Sequence, residues 1–286
     1  MLATERGTAV VRIDHVVMPS NDLGQSLLWF QRVLDAHTPR IIGVNRRGLE
    51  REVPMLVFFT LANHAGFGVA LQSQPIPAPV RPLEGPVCGF EIDERGMAGA
   101  IDVLQRRGVA FEGPVEYPAP SPIAASIFVQ DPYHYVYALS MRRDPMRNPD
   151  PGQGEVGLRR ISHVRLEVTD LERARQWYTT ALGLEPAAPV PGERQITLAV
   201  ADSGQLFVLR EVPEMTGRSL FTRGVHVDVK VPVGAYAAAF ARIDNPERYQ
   251  GPISDRTPWH EPTQPTVYFY DPFFNRLQLS EHEPEE

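Results

Sequence analysis

Apolar and polar positions along this chain repeat one plan four times: a strand, an amphipathic helix, then further strands. Segment 13–34, IDHVVMPSNDLGQSLLWFQRVL, carries a strand expected over 11–18 and a helix over 22–34. Segment 161–182, ISHVRLEVTDLERARQWYTTAL, aligns with it without a gap. His163, Asp170, Trp177 and Leu182 follow His15, Asp22, Trp29 and Leu34 by 148 residues each. One offset held at four positions makes the two halves homologous. After Asp170, an N-cap residue type, Leu171, Ala174, Trp177, Tyr178 and Leu182 recur at helical spacing, and Gly183 closes the helix. Strands follow at 195–200 and 206–209 around the turn 201–204. The plan restarts with a strand over 225–231 and an alanine-rich helix over 235–243, and ends with strands over 266–270 and 276–280. In the first half the corresponding strands fall near 55–61 and 67–72. A second unit there has a strand over 87–92, a helix over 98–107 closed by Gly108, and strands over 126–129 and 135–139.

Length and punctuation divide the chain. The 286 residues suit two domains of about 140 residues. Residues 1–141 form an expected N-terminal domain and 159–286 a C-terminal one. The Pro-, Gly- and charge-rich run RRDPMRNPDPGQGEVG lies in a linker over 142–158. A second proline-rich stretch, 74–86, joins the two units of the first half. Hydrophobic content of 43% and charged content of 22% are those of a soluble globular protein. No run of about 18 apolar residues spans a membrane. The start MLATERGTAVVRID lacks the basic and apolar regions of a secretory signal. One cysteine, Cys88, excludes an internal disulfide and suits a reducing, cytoplasmic setting. A formal charge of −7 without a Lys/Arg cluster argues against nucleic acid or an anionic membrane as partner. The expected partner is a small molecule.

Strand parity locates a cleft, because side chains two apart share a face. His163, Arg165 and Glu167 oppose Val164, Leu166 and Val168; His226, Asp228 and Lys230 oppose Val227 and Val229; Arg276, Gln278 and Ser280 oppose Leu277 and Leu279. Three polar faces on strands of different units predict a polar cavity in the second half. In the first half His15 shares its face with Ile13 and Val17. Gly89 stands where His226 would, and Ala138 stands where Gln278 would. One histidine cannot hold a catalytic metal, so the first half is expected to be metal-free.

The HV…DL…W[FY] start of the units and the Asp271-Pro272 turn before the last strand resemble the vicinal oxygen chelate superfamily. Glyoxalases, bleomycin-resistance proteins, fosfomycin-resistance enzymes and extradiol dioxygenases belong to it. The resemblance implies an α+β fold of four βαβββ units paired into two half-open eight-stranded barrels. The stretch 257–281, TPWHEPTQPTVYFYDPFFNRLQLSE, is similar to the signature of two-domain extradiol ring-cleavage dioxygenases. That similarity implies His163, His226 and Gln278 as ligands of Fe(II) or another divalent metal such as Mn or Zn. It implies His260 and Tyr268 as catalytic residues orienting a catechol-type substrate. Arg165, Glu167, Asp228, Lys230 and Arg276 are the expected substrate-binding residues on the same polar faces. Homo-oligomers are expected from the family's habit of association. The chain departs from the signature: Gln278 replaces a glutamate, Pro258 a small or β-branched residue, and Phe274 a glycine or proline. The acid/base histidine expected before His226 has no counterpart in REVPE at 210–214. A metal-free small-molecule binder of the bleomycin-resistance kind is therefore an alternative. A glyoxalase- or isomerase-like metalloenzyme is a third, though neither Val208 nor Gln278 supplies its glutamate base.

Overall fold

The computed structural model describes residues 9–37, 39–44, 53–61, 65–73, 75–76, 85–93, 95–143, 152–215, 226–243, 253–254 and 266–281. Four units of one plan account for them. The first comprises β1 (Arg12–Ser20), α1 (Leu23–Leu34), β2 (Pro39–Val44), β3 (Val53–Thr60) and β4 (Gly66–Leu71). The second comprises β5 (Val87–Ile92), α2 (Gly96–Arg106), β6 (Glu112–Glu116), β7 (Ile123–Gln130) and β8 (Val136–Arg142). The third comprises β9 (Leu158–Val168), α3 (Leu171–Ala181), β10 (Glu185–Pro186), β11 (Gln195–Ala199) and β12 (Leu206–Glu211). The fourth comprises β13 (His226–Val231), α4 (Tyr236–Ile243), β14 (Ile253–Ser254), β15 (Thr266–Tyr270) and β16 (Arg276–Glu281).

The helices start where their caps say they should. Asp22 and Asp170 are extended, and each carboxylate accepts a hydrogen bond from the backbone three residues on, at Gln25 (3.0 Å) and Arg173 (2.9 Å). Such a cap is worth about 1 kcal/mol. Phe30, Val33 and Leu34 bury the inner face of α1, as Ala174, Trp177, Tyr178 and Ala181 do for α3. Helix α4 borrows its start from the end of β16, where the Glu281 carboxylate accepts from the Gly234 and Tyr236 N–H groups.

The sheets are not built within the sequence halves. One eight-stranded sheet runs β14-β15-β16-β13-β1-β4-β3-β2, joining the fourth unit to the first. The other runs β10-β11-β12-β9-β5-β8-β7-β6, joining the third to the second. Each closes at an antiparallel seam, β1 with β13 and β5 with β9. The expected division into domains 1–141 and 159–286 therefore does not describe the sheets, because a repeat reveals homologous units but not which of them pair. The halves do pack together on the helical side. Phe67 of the first unit meets Phe90 of the second at 4.9 Å between ring centroids. Tyr178 of α3 donates to Asp271 of the fourth unit at 2.7 Å. Residues of both sheets share one buried core. The linker is shorter than expected, since β8 runs to Arg142 and β9 starts at Leu158. Its end is docked: the buried Val156 donates its N–H to Asp35, and Gly157 accepts from the Asp93 N–H. Among the described residues no helix is long and apolar enough to cross a membrane.

Candidate functional site

On the first sheet, four neighbouring strands bring their polar residues into one row. Tyr268 on β15 stands opposite Gln278 on β16, Gln278 opposite Asp228 on β13, and Asp228 opposite His15 on β1. His226 lies one step along β13, on the same face as Asp228. His15 reaches the row because β1 carries a bulge: the register slips between Ile13 and His15. An inserted residue turns the following side chains to the other face. Ile13 goes into the core, while Asp14 and His15 both face the cleft. The expectation that His15 shares the apolar face of Ile13 fails for this reason.

At the centre, His15 Nε2 and His226 Nε2 are 2.8 Å apart, with ring planes at 81°. Tyr268 meets the His226 ring edge-on at 5.0 Å between centroids, and Phe58 meets His15 at 5.3 Å. The Arg276 guanidinium lies over the Tyr268 ring, 4.3 Å from its centroid. Burial, reinforced by the Asp228 charge and opposed by Arg276, pushes the Tyr268 hydroxyl up to about 12. Tyr268 is thus a proton donor at neutral pH. Gln278 donates from Nε2 to Thr266 Oγ1 at 3.0 Å, so its amide oxygen is the atom it can offer a cation.

Behind His15 stands a charged network. Asp14 Oδ2 is 3.0 Å from His15 Nδ1, and Asp228 Oδ2 is 3.4 Å from it. Burial would raise Asp14, yet the bond to His15 and the charges of His15, Lys230 and Arg12 hold it well below the usual carboxylate range. Burial pushes Asp228 up to about 6, against the pull of His15 and Lys230 and the hydrogen bond from Ser280. Asp14, His15 and Asp228 are close enough to suggest an ion among them. Arg12 at 2.5 Å from Asp14 and Lys230 at 3.7 Å from Asp228 already balance that pair. The two carboxylates instead orient His15, holding Nδ1 so that Nε2 is presented to the cleft.

The donor set fits a divalent metal in front of Nε2. Two nitrogens bound at about 2.0–2.1 Å to one ion lie about 3 Å apart when adjacent, close to the separation of His15 and His226. Imidazole nitrogens with an amide oxygen suit Fe, Zn or Ni better than Ca or Mg.

His163 is elsewhere. It sits on β9 in the second sheet, where the matching row has lost its donors: Gly89 opposes it, and Ala138 and Phe128 stand where the first sheet has Gln278 and Tyr268. A Cβ on Gly89 would lie 2.6 Å from His163 Nε2 and nearer still to two other ring atoms, so the imidazole fills that space. Its Nδ1 bonds Ser162 at 2.8 Å. Burial, then the charges of Arg165 and Arg142, push it down to about 3, so it is neutral. The expected triad of His163, His226 and Gln278 is split between two sheets, and it is His15 that shares the first sheet with His226 and Gln278.

Of the expected substrate residues, Asp228, Lys230 and Arg276 belong to the first sheet, with Asp228 and Lys230 in the network behind His15. Arg165 is on β9 and donates to the Gly85 carbonyl at 3.0 Å. It meets His226 and Arg276 at a narrow cavity of about 30 Å³ between the sheets. Glu167 is buried in the second sheet, and its carbonyl accepts from Asn275. His260 lies outside the described residues. Asp14 and Gln205 have no signature in the sequence; His15 has one in its repeat position, but regular strand parity puts it on the apolar face of Ile13.

Two sheets of paired βαβββ units around a histidine-bearing cleft define a class. Residues 160–279 match the Glyoxalase/Bleomycin resistance protein/Dioxygenase superfamily. The match lies within the third and fourth units, 120 of the 286 residues. A candidate dioxygenase from Bacillus subtilis is similar in structure, with a TM-score of 0.68 and 13% identity, over 97% of this chain and 87% of that one. Glyoxalase I from Zea mays is similar at a TM-score of 0.58 and 17% identity, over 94% of this chain and 92% of that one. At these identities the likeness is one of fold. No curated protein sequence matches the chain.

Proposed function

We propose that the cleft of the first sheet is a divalent-metal site of a dioxygenase-like enzyme acting on a catechol-type small molecule. The observation that carries this reading is the convergence of His15 Nε2 and His226 Nε2 at 2.8 Å, beside Gln278. His15, His226 and Gln278 would hold Fe(II), or another divalent ion such as Mn or Zn. Bound there, the ion supplies Lewis-acid activation and a template for substrate oxygens. All three donors are neutral, so negative charge at the site comes from the substrate, which favours an ionised diol. Tyr268, protonated at neutral pH, donates to a substrate oxygen, and Arg276 beside it offsets the substrate's charge.

A metal-free binder is the second reading, and one observation favours it. Arg12 and Lys230 balance Asp14 and Asp228 without an ion, and one shared proton would satisfy the two facing histidines. Metal analysis of untagged protein after anaerobic loading with Fe(II) separates the two. The enzyme reading expects one ion per chain, lost in His15→Ala and His226→Ala and kept in His163→Ala. Gln278→Glu should bind more tightly. No uptake by the unsubstituted protein, or loss in His163→Ala with retention in His15→Ala, would sink it.

A further inference from the structure

Gln205 precedes β12 in the second sheet and is 2% exposed, yet its amide serves the first sheet. Its Oε1 accepts from the Ile13 N–H at 2.7 Å, and its Nε2 donates to the Ile13 carbonyl at 3.0 Å. The same Nε2 donates to the Ile161 carbonyl at 3.0 Å. A side chain 192 residues away thus pairs with both backbone groups of Ile13, as a neighbouring strand would. Ile13 is where the β1 bulge begins, and Ile161 holds the matching place in β9, whose register slips across Ser162. A bulge takes backbone groups off the regular ladder, and buried ones need other partners.

We propose that Gln205 is a positioning residue for the candidate site: it fixes the β1 bulge and thereby aims His15 at His226. Ile13 is wholly buried in the core while the next two side chains face the cleft. Losing the bulge would slip β1 by one residue and turn His15 towards the wrong face. The position is not symmetric. Before β4, where β1 and β4 pair as β9 and β12 do, stands Ala65, whose methyl group cannot hydrogen-bond. One glutamine therefore serves both bulges.

The consequence for metal binding rests on the metal reading above; the effect on His15 does not. The test compares Gln205→Leu with Leu198→Ala, a buried substitution of the second sheet away from the bulge. Three quantities are read: exchange of the Ile13 amide, the ¹⁵N signals of the His15 imidazole, and Co²⁺ affinity with its visible spectrum. Gln205→Leu should raise Ile13 exchange at least tenfold and move the His15 signals. It should weaken Co²⁺ roughly tenfold, as loss of support behind a metal ligand does. Leu198→Ala should lower Tm without moving the His15 signals or the Co²⁺ spectrum. The proposal is overturned if His15 keeps its wild-type signals in Gln205→Leu, or if Leu198→Ala moves them equally. If the unsubstituted protein takes up no Co²⁺, the metal reading fails, and the His15 signals and Ile13 exchange decide the positioning role by the same criteria. Should Gln205→Leu not fold, Gln205→Asn, an amide one methylene too short, is read the same way.

Discussion

Whether His163 fills the second cleft can be tested by adding one carbon. Gly89→Ala places a Cβ 2.6 Å from His163 Nε2 and nearer to the other two ring atoms, directly across the β5–β9 ladder. The strands cannot separate without breaking their pairing, so the ring must leave its place and its bond to Ser162. Overpacking of this kind costs about 1–3 kcal/mol. Against it, Ala regains about 0.5–1 kcal/mol of the backbone entropy that Gly loses in a strand. The net loss should be about 1–2 kcal/mol. In a His163→Ala background the obstacle is gone, and the same substitution should be neutral or stabilising by about 0.5–1 kcal/mol. His163→Ala alone should cost about 2 kcal/mol through the cavity and the lost hydrogen bond. The four proteins form a double-mutant cycle with a coupling of about 1–3 kcal/mol. Urea unfolding followed by two independent probes measures it, because two sheets in one chain need not unfold in a single step. If Gly89→Ala costs the same in both backgrounds, the imidazole does not occupy that space and the assignment of the second cleft as filled is refuted.

Three further outcomes concern His163, Asp271 and the start of α4. His163 is held near 3 when folded against an ordinary 6.5, so the folded state binds its proton less readily than the unfolded chain; its stabilising effect is complete above pH 6.5 and declines as pH falls. Relative to His163→Gln, the unsubstituted protein should lose about 2 kcal/mol between pH 7.5 and pH 5 in chemical unfolding, and parallel pH profiles would contradict this. Tyr178→Phe removes a donor from the fully buried Asp271, which burial pushes up to about 6. Here protonation favours the folded state, so stability from it is present at low pH and lost as pH rises through about 6; the cost of Tyr178→Phe, about 1–3 kcal/mol, should be larger at pH 8 than at pH 5. Glu281→Ala strips the acceptor from the Gly234 and Tyr236 N–H groups and should cost about 1 kcal/mol, with faster amide exchange confined to the start of α4.

The repeat, the helix caps and the central strands were legible because their signals are local. Asp22 and Asp170 cap where their spacing to the apolar faces requires, and β15 occupies 266–270 as expected. The second strand of each unit, β2, β6, β10 or β14, was not located from the residues. These are outer or short strands; in β6 all five residues are exposed, so no alternation marks them. Parity placed Asp228, Gln278 and Tyr268 together correctly, because β13, β15 and β16 pair in regular register. It failed for His15, because nothing in the run RIDHVV marks the bulge. The pairing of the first unit with the fourth left no local trace either, and that pairing decides which histidine faces His226. Phe274, out of place in the signature, sits at φ 67°, the left-handed conformation that glycine adopts freely.

The two sheets began from one plan, and comparing their rows shows what separates a cleft from a core. The first sheet has Asp14, His15, His226, Gln278 and Tyr268. The corresponding places of the second have Ser162, His163, Val87, Ala138 and Phe128. Each exchange removes a charge, a donor or an acceptor, and the remaining histidine then has neither a partner across the seam nor a carboxylate behind it. Gly89 stands in the place of Asp228, and Glu91, in the place of Lys230, pairs with Arg160 at 3.3 Å. Val87, Val136 and Ala138 pack together beside Phe128, closing space that a ligand would need. A buried imidazole held neutral among such neighbours stabilises the fold without chemistry. The same imidazole at His15, braced by two carboxylates and facing a second one, is placed to bind. The difference lies in the neighbours, so in this chain a conserved-looking histidine position says little until its partner strand is known.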